Sequence, residues 1–576
     1  MKKLIPLLGV FLILASSVLA QVTLDPNQYV NVQIAADTLA NGTHDPAKTV
    51  YKAESGQFYA FDGFLNCDFD LVIEGPDNTW IKNQTAPPVF LQIPAADGSA
   101  RDMIHLLAGG STRMKNIIVD GNLPNGQLVG VFVVNQGGYK VIFDNCAFGE
   151  IQWFTMRNQA FADTISYTNC VFVNMVRKAS TPFNGMLLRI DSGVSNFIFE
   201  NNTSINSSRL FGNGGNFFTS TMKEIHNTYL NMQVNGHELH YYEGLQANNI
   251  YYNWSYRGRN LKTNHYEAPF TTWDHYYEVE NKLDSISVYE GRDAFYLDPA
   301  FPEYWNNTIN PLVTDDSLKI ITCFLWDTGV DTTITNDTQH NFTIGKNYSQ
   351  FNPMFTNNPS KLDSMLAWCN YYWAGTLGIS GITTWPDWRV QLVVDYDAES
   401  LPVLNWPPAF DLSYSNTDLQ TAGTDGLPLG DLNWYPDAKA TYLANRDAYI
   451  AALQDSMVNA TWVYIPGDST SAIITPSMVG VEKLDLPTPK EFYLANNYPN
   501  PFNPTTNIRF AIPVSAKVKL VVYNMLGQVV ATLLDEYIPA GNHLVKFDAK
   551  DLPSGMYIYK LKSGDTVMSK KLMVLK

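Results

Sequence analysis

A motif that recurs through the first half of the chain constrains its fold more than any other sequence feature. In each copy a short apolar run leads to an asparagine, and the reference positions are Asn145, Asn169, Asn201, Asn227 and Asn249. They are separated by 24, 32, 26 and 22 residues. A parallel β-helix permits unequal repeats, because one coil can lengthen without disturbing its neighbours. The repeat therefore predicts a parallel β-helix.

The physics of such a stack accounts for the residue types in the motif. Coils spaced at about 4.8 Å bury a continuous core that no single coil could bury alone. Asparagine suits a corner because it tolerates left-handed backbone angles, and its amides can bond from coil to coil. We therefore expect Asn145, Asn169 and Asn201 at one corner. Cys146 and Cys170 share the next position, where we expect stacked small apolar side chains, with a disulfide as the alternative.

The apolar positions before these asparagines should also share one face of the stack, namely Phe143, Tyr167 and Phe199. A β-sandwich of similar strands is the competing fold, but it does not predict asparagine recurring at one corner. In this pattern, residues from 21 to about 260 resemble the pectate-lyase-like superfamily of right-handed parallel β-helices. That resemblance implies a polysaccharide ligand, which members of the superfamily usually cut by hydrolysis or by β-elimination.

Catalytic motifs do not accompany this resemblance. Hydrolysis needs paired carboxylates, and the pair Asp315-Asp316 stands without the other polygalacturonase signatures. Elimination needs a base beside a neutralised uronate carboxylate, and no lyase motif stands out. The sequence therefore favours a binding protein, with a polysaccharide lyase or a glycoside hydrolase as the enzymatic alternative.

The repeat also suggests how the body of the chain is organised. The predicted β-helix covers 21–435, with long insertions at about 261–402, and 411–434 is interpreted as its terminal coil. An amphipathic helix at 436–460 should cover the open end of the solenoid. Residues 461–490, with prolines and glycines among Ser and Thr, form the predicted linker to a C-terminal tail.

The tail, residues 491–576, carries several motifs in a fixed order. They are Asn497-Tyr498-Pro499-Asn500-Pro501-Phe502-Asn503-Pro504, Val522-Tyr523-Asn524-Met525-Leu526-Gly527-Gln528 and the closing Lys570-Lys571-Leu572-Met573. In these motifs the tail resembles the type A C-terminal sorting domain of cargo for the bacterial type IX secretion system. Short alternating strands between Gly and Pro turns predict a small Ig-like β-sandwich. The resemblance implies the secretion machinery as a partner, and an extracellular or outer-surface location after passage through the periplasm.

The N-terminal segment agrees with export. Lys2 and Lys3 precede an apolar run over 4–15, and the small residues before Ala20 form a signal-peptide cleavage site. We expect residues 1–20 to be removed by cleavage between Ala20 and Gln21. The apolar run is too short for a stable bilayer anchor, and no other segment approaches that length. The sequence therefore predicts no transmembrane anchor.

Charge is unevenly distributed along the chain. The net charge is −17, and the tail holds ten Lys and Arg against six Asp and Glu, so the remaining residues carry −21. An acidic body argues against nucleic acid and anionic membranes as partners. It is compatible with bound calcium, although the Asp spacings fit no EF-hand.

One candidate binding site follows from the alignment of the repeats. Trp153, Arg177 and Arg209 lie at the same distance beyond the aligned corners of three coils, and Lys178 adjoins them. Two stacked guanidinium groups repel by about 1 kcal/mol even near the surface, unless an anion lies between them. Arginines beside an aromatic shelf suit an acidic polysaccharide. The alternatives are arginines that cap turns or pair with nearby acids, in a non-catalytic adhesin or cell-envelope structural protein.

Overall fold

The structure is a computed structural model of the chain, which forms two compact units, Met1–Ile473 and Ile474–Lys576. It describes residues 21–77, 85–99, 101–122, 131–151, 153–176, 185–214, 217–234, 239–258, 260, 287–321, 341–344, 347–378, 386–391, 393–397, 399–459, 473–474, 482–484, 492–495, 497, 500, 502–513, 516–525, 527–538, 541–550, 552–563 and 566–575. The predicted signal peptide lies outside these residues, and Gln21 begins the first strand.

Three parallel sheets form the first unit. The strands of sheet 1 are Gln21–Thr23, Val50–Lys52, Asp70–Glu74, Ser111–Lys115, Lys140–Asp144, Ala162–Thr168, Val194–Glu200, Phe218–Ile225, His240–Ala247, Ser287–Gly291 and Asn341–Ile344. Those of sheet 2 are Leu65–Cys67, Ile104–Leu106, Val131–Asn135, Phe154–Asn158, Met186–Ile190 and Phe211–Asn213. Those of sheet 3 are Phe58–Asp62, Val89–Ile93, Ile118–Asp120, Ala147–Gly149, Val171–Val173, Thr203–Ser207, Thr228–Met232, Ile250–Tyr252, Ala294–Tyr296 and Asn347–Ser349. The two-residue strand Ile473–Ile474, at the boundary between the units, is last in its order.

The register of these strands confirms the predicted parallel β-helix. Phe143 pairs with Tyr167, which pairs with Phe199, so the three side chains share one face as expected. The first two rings stack at 4.9 Å between centroids. The strands at 287–296 and 341–349 continue the helix through the region where the repeat fades in the sequence.

The predicted corner is present, with one correction of its register. Asn145, Asn169 and Asn201 all adopt left-handed backbone angles, at φ of 55°, 58° and 58°. In the next two coils the left-handed residues are His226 and Asn248. The asparagines that follow them, at 227 and 249, occupy the inward position instead, because the strand register shifts the corner by one residue.

A buried ladder of amides runs along that inward position. The backbone N–H of Asn202 donates to Oδ1 of Asn227 at 2.9 Å, and Asn227 donates in the same way to Asn249 at 2.9 Å. Earlier coils have Cys146 and Cys170 at this position, both buried and both free thiols. The interpretation of these cysteines as stacked apolar side chains is confirmed. The inner corner therefore changes from apolar to hydrogen-bonded along the solenoid.

Two segments from the C-terminal part of the first unit return along the outside of the helix. The first returning segment has its described residues between 386 and 404 and contains the antiparallel hairpin Val394–Tyr396 with Pro402–Leu404. The second runs from 411 to 434 and begins with Asp411–Tyr414, which pairs antiparallel with Phe355–Asn357. The prediction that 411–434 is a terminal coil is therefore wrong. Its turn-rich sequence belongs to a segment that crosses several coils.

Side chains at the corners hold both returning segments. Asn174 accepts from the Val390 N–H at 3.0 Å and donates to the Val390 carbonyl at 3.1 Å. On the other corner, the Thr424 N–H donates to Oδ1 of Asn248 at 2.8 Å. His226 lies 2.7 Å from a carboxylate oxygen of the second segment. Side chains at the corners therefore hold the returning segments against the β-helix.

Helices flank the β-helix at several points. They are Val30–Ala36, Ala300–Tyr304 continued by a π turn at Trp305–Ile309 and a 3-10 turn at Asn310–Leu312, the 3-10 turns Asp316–Leu318 and Leu432–Trp434, and the longer helices Leu362–Leu377 and Pro436–Asn459. The sequence predicted that the last of these helices covers the open end of the solenoid. The helix lies instead on the outer side of sheet 1. Leu453 packs in one cluster with Leu245, and Nη2 of Arg446 lies 2.6 Å from a carboxylate oxygen of Glu200. The outward side chains of these strands supply the apolar contacts that hold it there.

The second unit consists of two four-stranded sheets around one core. The first sheet contains Glu482–Leu484, Gly541–Asp548, Thr505–Ile512 and Tyr493–Leu494, and the second contains Val529–Ile538, Ala516–Asn524, Gly555–Ser563 and Thr566–Val574. All the pairings between these strands are antiparallel. The predicted small β-sandwich is confirmed.

Candidate functional site

The outer side of sheet 2 is the surface on which the described residues place exposed aromatic and charged side chains together. The outer side of sheet 3 is covered by the returning segments, and Val173, Ile205 and Leu230 there are 1%, 0% and 0% exposed. The later strands of sheet 1 lie under the helix Pro436–Asn459. Sheet 2 therefore holds the surface best suited to a large ligand.

One row of outward side chains runs along sheet 2 from strand to strand. The register aligns Asn66, His105, Val134, Arg157, Arg189 and Gly212. The preceding residue on all six strands, such as Met156 or Leu188, points into the core and is buried. Because adjacent strands lie about 4.8 Å apart, the row extends for about 24 Å along the solenoid.

Two arginines in this row share one carboxylate. Nε of Arg157 donates to Oδ2 of Asp191 at 2.7 Å, and Nε of Arg189 donates to Oδ1 at 2.8 Å. The arginine side chains are 36% and 33% exposed. Their terminal amino groups make no hydrogen bond to a residue that the structure describes. The cluster therefore has a net charge of +1 and a fork of unused donors on each guanidinium, a geometry that suits a carboxylate.

Aromatic and apolar side chains lie beside the arginines. Trp153 is 42% exposed and meets the Phe154 ring edge-on, with centroids 6.2 Å apart. The guanidinium carbon of Arg189 lies 5.9 Å from the Phe154 centroid. Phe154 in turn packs with Met186 and two valines of the neighbouring strand. These contacts fix an exposed aromatic shelf next to the cationic pair.

A second aromatic position, Phe64, lies beside the first strand of sheet 2. The Phe64 ring stacks on the ring of His105 with centroids 4.4 Å apart and 19° between planes, and Phe64 remains 50% exposed. Nε2 of His105 is 3.1 Å from Oδ2 of Asp102. A long ligand along the row would therefore meet Phe64 beside the first strand of sheet 2 and Trp153 beside the fourth.

The structure describes two of the four residues that the sequence predicted for the site. Trp153 lies one residue before a strand of sheet 2 and Arg209 lies two residues before another, both at the edge of the surface described above. Arg177 and Lys178 lie outside the described residues. The structure therefore brings one predicted aromatic and one predicted cation to the same side of the solenoid.

The predicted alignment of these residues differs from the register by one position. Phe154 pairs with Met186. Leu188 pairs with Phe211, so two residues earlier on both strands Arg209 lies opposite Met186. Arg209 is therefore in the row of Phe154, and Trp153 is one residue away from it. The link between the corner and sheet 2 varies in length from coil to coil, so equal counts from the corner do not give equal positions.

Sequence reasoning missed the arginine pair, although a signal for it exists. Arg157 and Arg189 each lie twelve residues before the next corner asparagine, Asn169 and Asn201. Sheet 2, the turn after it and sheet 1 have the same length in these two coils, so counting backwards preserves the register. Asp191 follows two residues after the second arginine and would have been found with it.

Another group of ionisable residues lies beneath the first returning segment. Glu150 occupies the corner position that Asn174 has in the next coil, and its Oε2 accepts from Nη1 of Arg389 at 2.8 Å. Burial raises the pKa of Glu150 to about 7, although the charge of Arg389 opposes this. Burial and the charge of Glu150 raise the pKa of Asp120 well above its usual range. Both acids are fully buried, so they hold the segment and are closed to a polymer.

Two searches of the described residues were negative. No group of three or more His, Cys, Asp or Glu side chains there is arranged to hold a metal ion. Calcium, with which the acidic composition is compatible, therefore has no candidate site among the described residues. No helix in that part of the chain is long and apolar enough to cross a membrane.

The chain thus combines a parallel β-helix body with a small C-terminal β-sandwich. Residues 496–575 match the family described as secretion system C-terminal sorting domain. The tail is thus a type IX sorting domain, and it directs the protein to the cell surface or the extracellular space. A search of curated proteins finds no match.

Proposed function

We propose that the exported body binds an acidic polysaccharide along the outer side of sheet 2. The observation that carries this proposal is the pair Arg157 and Arg189, which share one carboxylate and keep their terminal donors unused. Two guanidinium groups on adjacent strands repel each other, and one aspartate compensates for only one of the two charges. A uronate carboxylate would supply the missing negative charge.

Each part of the surface has a role in this proposal. The terminal amino groups of the two arginines bind the carboxylate of one sugar in the bidentate way that guanidinium favours. Trp153 stacks on the apolar face of a neighbouring sugar, and Phe64 does the same at the far end of the row. Arg209, at the edge of the surface, adds positive charge there.

The predicted residues Arg177 and Lys178 belong to the same proposal as further cations. In the sequence they are three and four residues after the corner residue Asn174. Their positive charge would raise the association rate with a polyanion and make it depend on salt.

Binding is a better match to this surface than cleavage. The carboxylate at its centre, Asp191, accepts one hydrogen bond from each of two arginines, so both of its oxygens are engaged. Hydrolysis needs a second carboxyl group on the other side of the scissile bond. Elimination remains open to experiment, because a bound uronate next to His105 would need only a base at the right distance.

The test compares two double variants of the mature chain. Arg157→Gln/Arg189→Gln removes both charges from sheet 2, and Arg113→Gln/Lys223→Gln makes the same charge change on the outer side of sheet 1. Charged hydrogen bonds contribute about 1.5–3 kcal/mol each, so the first variant should bind a polyuronate at least about 100-fold more weakly. The control should bind within about twofold of the unchanged protein. Binding is measured by calorimetry at several salt concentrations.

A third variant separates a ligand site from a structural ion pair. Asp191→Asn frees both arginines, so it should bind the polyuronate at least as tightly as the unchanged protein. A structural role predicts a lower melting temperature for this variant and no gain in binding. Binding to neutral polymers alone, or to none, would contradict the proposal and favour an adhesin or envelope component. An ultraviolet-absorbing unsaturated product would identify a lyase.

A further inference from the structure

The C-terminal hairpin of the second unit has one face in the core and one in solvent. The strands Gly555–Ser563 and Thr566–Val574 pair antiparallel over their whole length. Tyr559 and Leu561 point inward and are fully buried. The alternate residues point outward, and they are Met556, Ile558, Lys560, Lys562, Val567, Ser569, Lys571 and Met573. We call this set the hairpin face.

Three exposed lysines on the hairpin face have no acidic partner among the residues that the structure describes. In the part of the chain that the structure describes, no carboxylate lies within ion-pair distance of the amino groups of Lys560, Lys562 or Lys571. Lys560 and Lys562 are two residues apart on one strand, so their α-carbons are about 7 Å apart on the same side. Like charges at such a spacing disfavour the folded sheet slightly. A compensating anion is therefore expected from outside the hairpin.

Apolar side chains on the same face are exposed beside these lysines. Met556 is 39% exposed, Val567 45% and Met573 36%. Met556 and Met573 are directly opposite each other in the register and form one end of the face. Exposed methionines are common on surfaces that adapt to a protein partner, because the side chain is flexible and polarisable. Val567 lies opposite Lys562 at the other end, so exposed apolar side chains flank the lysines at both ends of the face, as is common on interaction surfaces.

We propose that the hairpin face is the surface by which the sorting domain docks on an acidic protein of the secretion machinery. The lysines meet carboxylates of that partner, and the two methionines enter a shallow apolar depression beside them. The tail has a net charge of +4 whereas residues 1–490 carry −21. A negatively charged partner would therefore attract the tail and repel the body, which selects the end of the chain that is engaged first.

A lipid surface is a weaker match for the same face. Each lysine contributes about 1 kcal/mol near an anionic leaflet, so three give about 3 kcal/mol. Membrane-bound surfaces usually add large aromatic or leucine side chains that enter the acyl boundary. The exposed apolar residues here are two methionines and a valine. A carboxylate-bearing protein surface uses both the charge and the methionines.

Charge reversal in the full chain tests the proposal in a host with type IX secretion. Lys560→Glu/Lys562→Glu reverses two charges on the hairpin face. The matched control, Arg509→Glu/Lys546→Glu, reverses two exposed charges on the other sheet of the same sandwich. The first variant should reduce the secreted fraction at least about tenfold, with folded protein accumulating in the periplasm, while the control is secreted normally. Lys560→Gln/Lys562→Gln should give an intermediate loss.

A photo-crosslinking group at Ser569, in the middle of the hairpin face, identifies what covers it during export. Adducts with a protein, lost in the charge-reversed variant, support the proposal. Adducts with lipid alone would overturn it, and so would normal secretion of the charge-reversed variant. Equal loss in the control variant would also overturn it, since general charge or folding would then be responsible. Melting of the retained protein shows whether it is folded. None of these results depends on polysaccharide binding by the body.

Discussion

Replacing Asn227 by alanine tests whether the inner amide ladder stabilises the solenoid. The Asn227 side chain is fully buried. Its Nδ2 donates to the Phe199 carbonyl at 2.9 Å and to Oδ1 of Asn249 at 3.0 Å. Its Oδ1 accepts from the backbone N–H of Asn202 at 2.9 Å and from Nδ2 of the same residue at 3.1 Å. Alanine removes all four bonds.

The expected loss of stability follows from this set of bonds. A buried hydrogen bond contributes about 1 kcal/mol net, so four of them give about 4 kcal/mol. The backbone N–H of Asn202 would also lose its acceptor in a dry interior, and this desolvation cost adds to the loss of stability. Cys146 occupies the equivalent position in an earlier coil, and Cys146→Ala removes one sulfur atom from an apolar site. That control should cost about 1 kcal/mol.

Equilibrium unfolding in urea, followed by tryptophan fluorescence, measures both variants. All 13 tryptophans lie before residue 491, so the signal reports on the first unit alone. With an unchanged m-value, the shift in midpoint gives the difference in free energy. A loss below about 1 kcal/mol for Asn227→Ala, or one no larger than that of Cys146→Ala, would refute the view that the ladder stabilises the later coils.

Three further outcomes are expected. Deleting 491–576 should leave a folded body in the periplasm, as cell fractionation would show, and normal amounts of truncated protein outside intact cells would contradict this. Burial and the charge of Asp293 raise the pKa of Glu290 well above its usual range, so stability should fall as pH rises above about 4.5, and Glu290→Gln should flatten that slope in melting experiments. Burial alone would raise the pKa of Asp425, but hydrogen bonding and the charge of His226 lower it. Its stabilisation is then present above pH of about 4 and lost as pH falls below that, so limited proteolysis at neutral pH should cut Asp425→Asn faster in its returning segment.

The sequence was sufficient to predict the coils because their chemistry repeats. A left-handed corner selects asparagine at Asn145, Asn169 and Asn201, and coil-to-coil stacking preserves that choice. The corner was misplaced where His226 replaces asparagine and an asparagine follows it. At that point two positions, the corner and the inner ladder, both favour the same residue type, so composition alone could not separate them.

The returning segments could not be predicted in the same way. Phe355–Asn357 pairs with Asp411–Tyr414 across a long intervening stretch, and neither strand repeats. Several of their bonds to the corners use backbone atoms of the segments, which leave no trace in residue type. The pair Arg157 and Arg189 was not predicted for a third reason. The link before Arg189 is longer than the link before Arg157, so a count from the preceding corner ended at other residues.

The first returning segment has a consequence for how this protein can evolve. Arrays of coils ordinarily gain or lose whole repeats, because each repeat touches only its neighbours. Here the carbonyls of Val394 and Trp388 accept from Asn122 and Asn206, which lie several coils apart. Inserting a coil between those asparagines would move one anchor by about 5 Å relative to the other. The length of the segment thus fixes the number of coils between its two anchors, and that number can change only if the segment changes length as well.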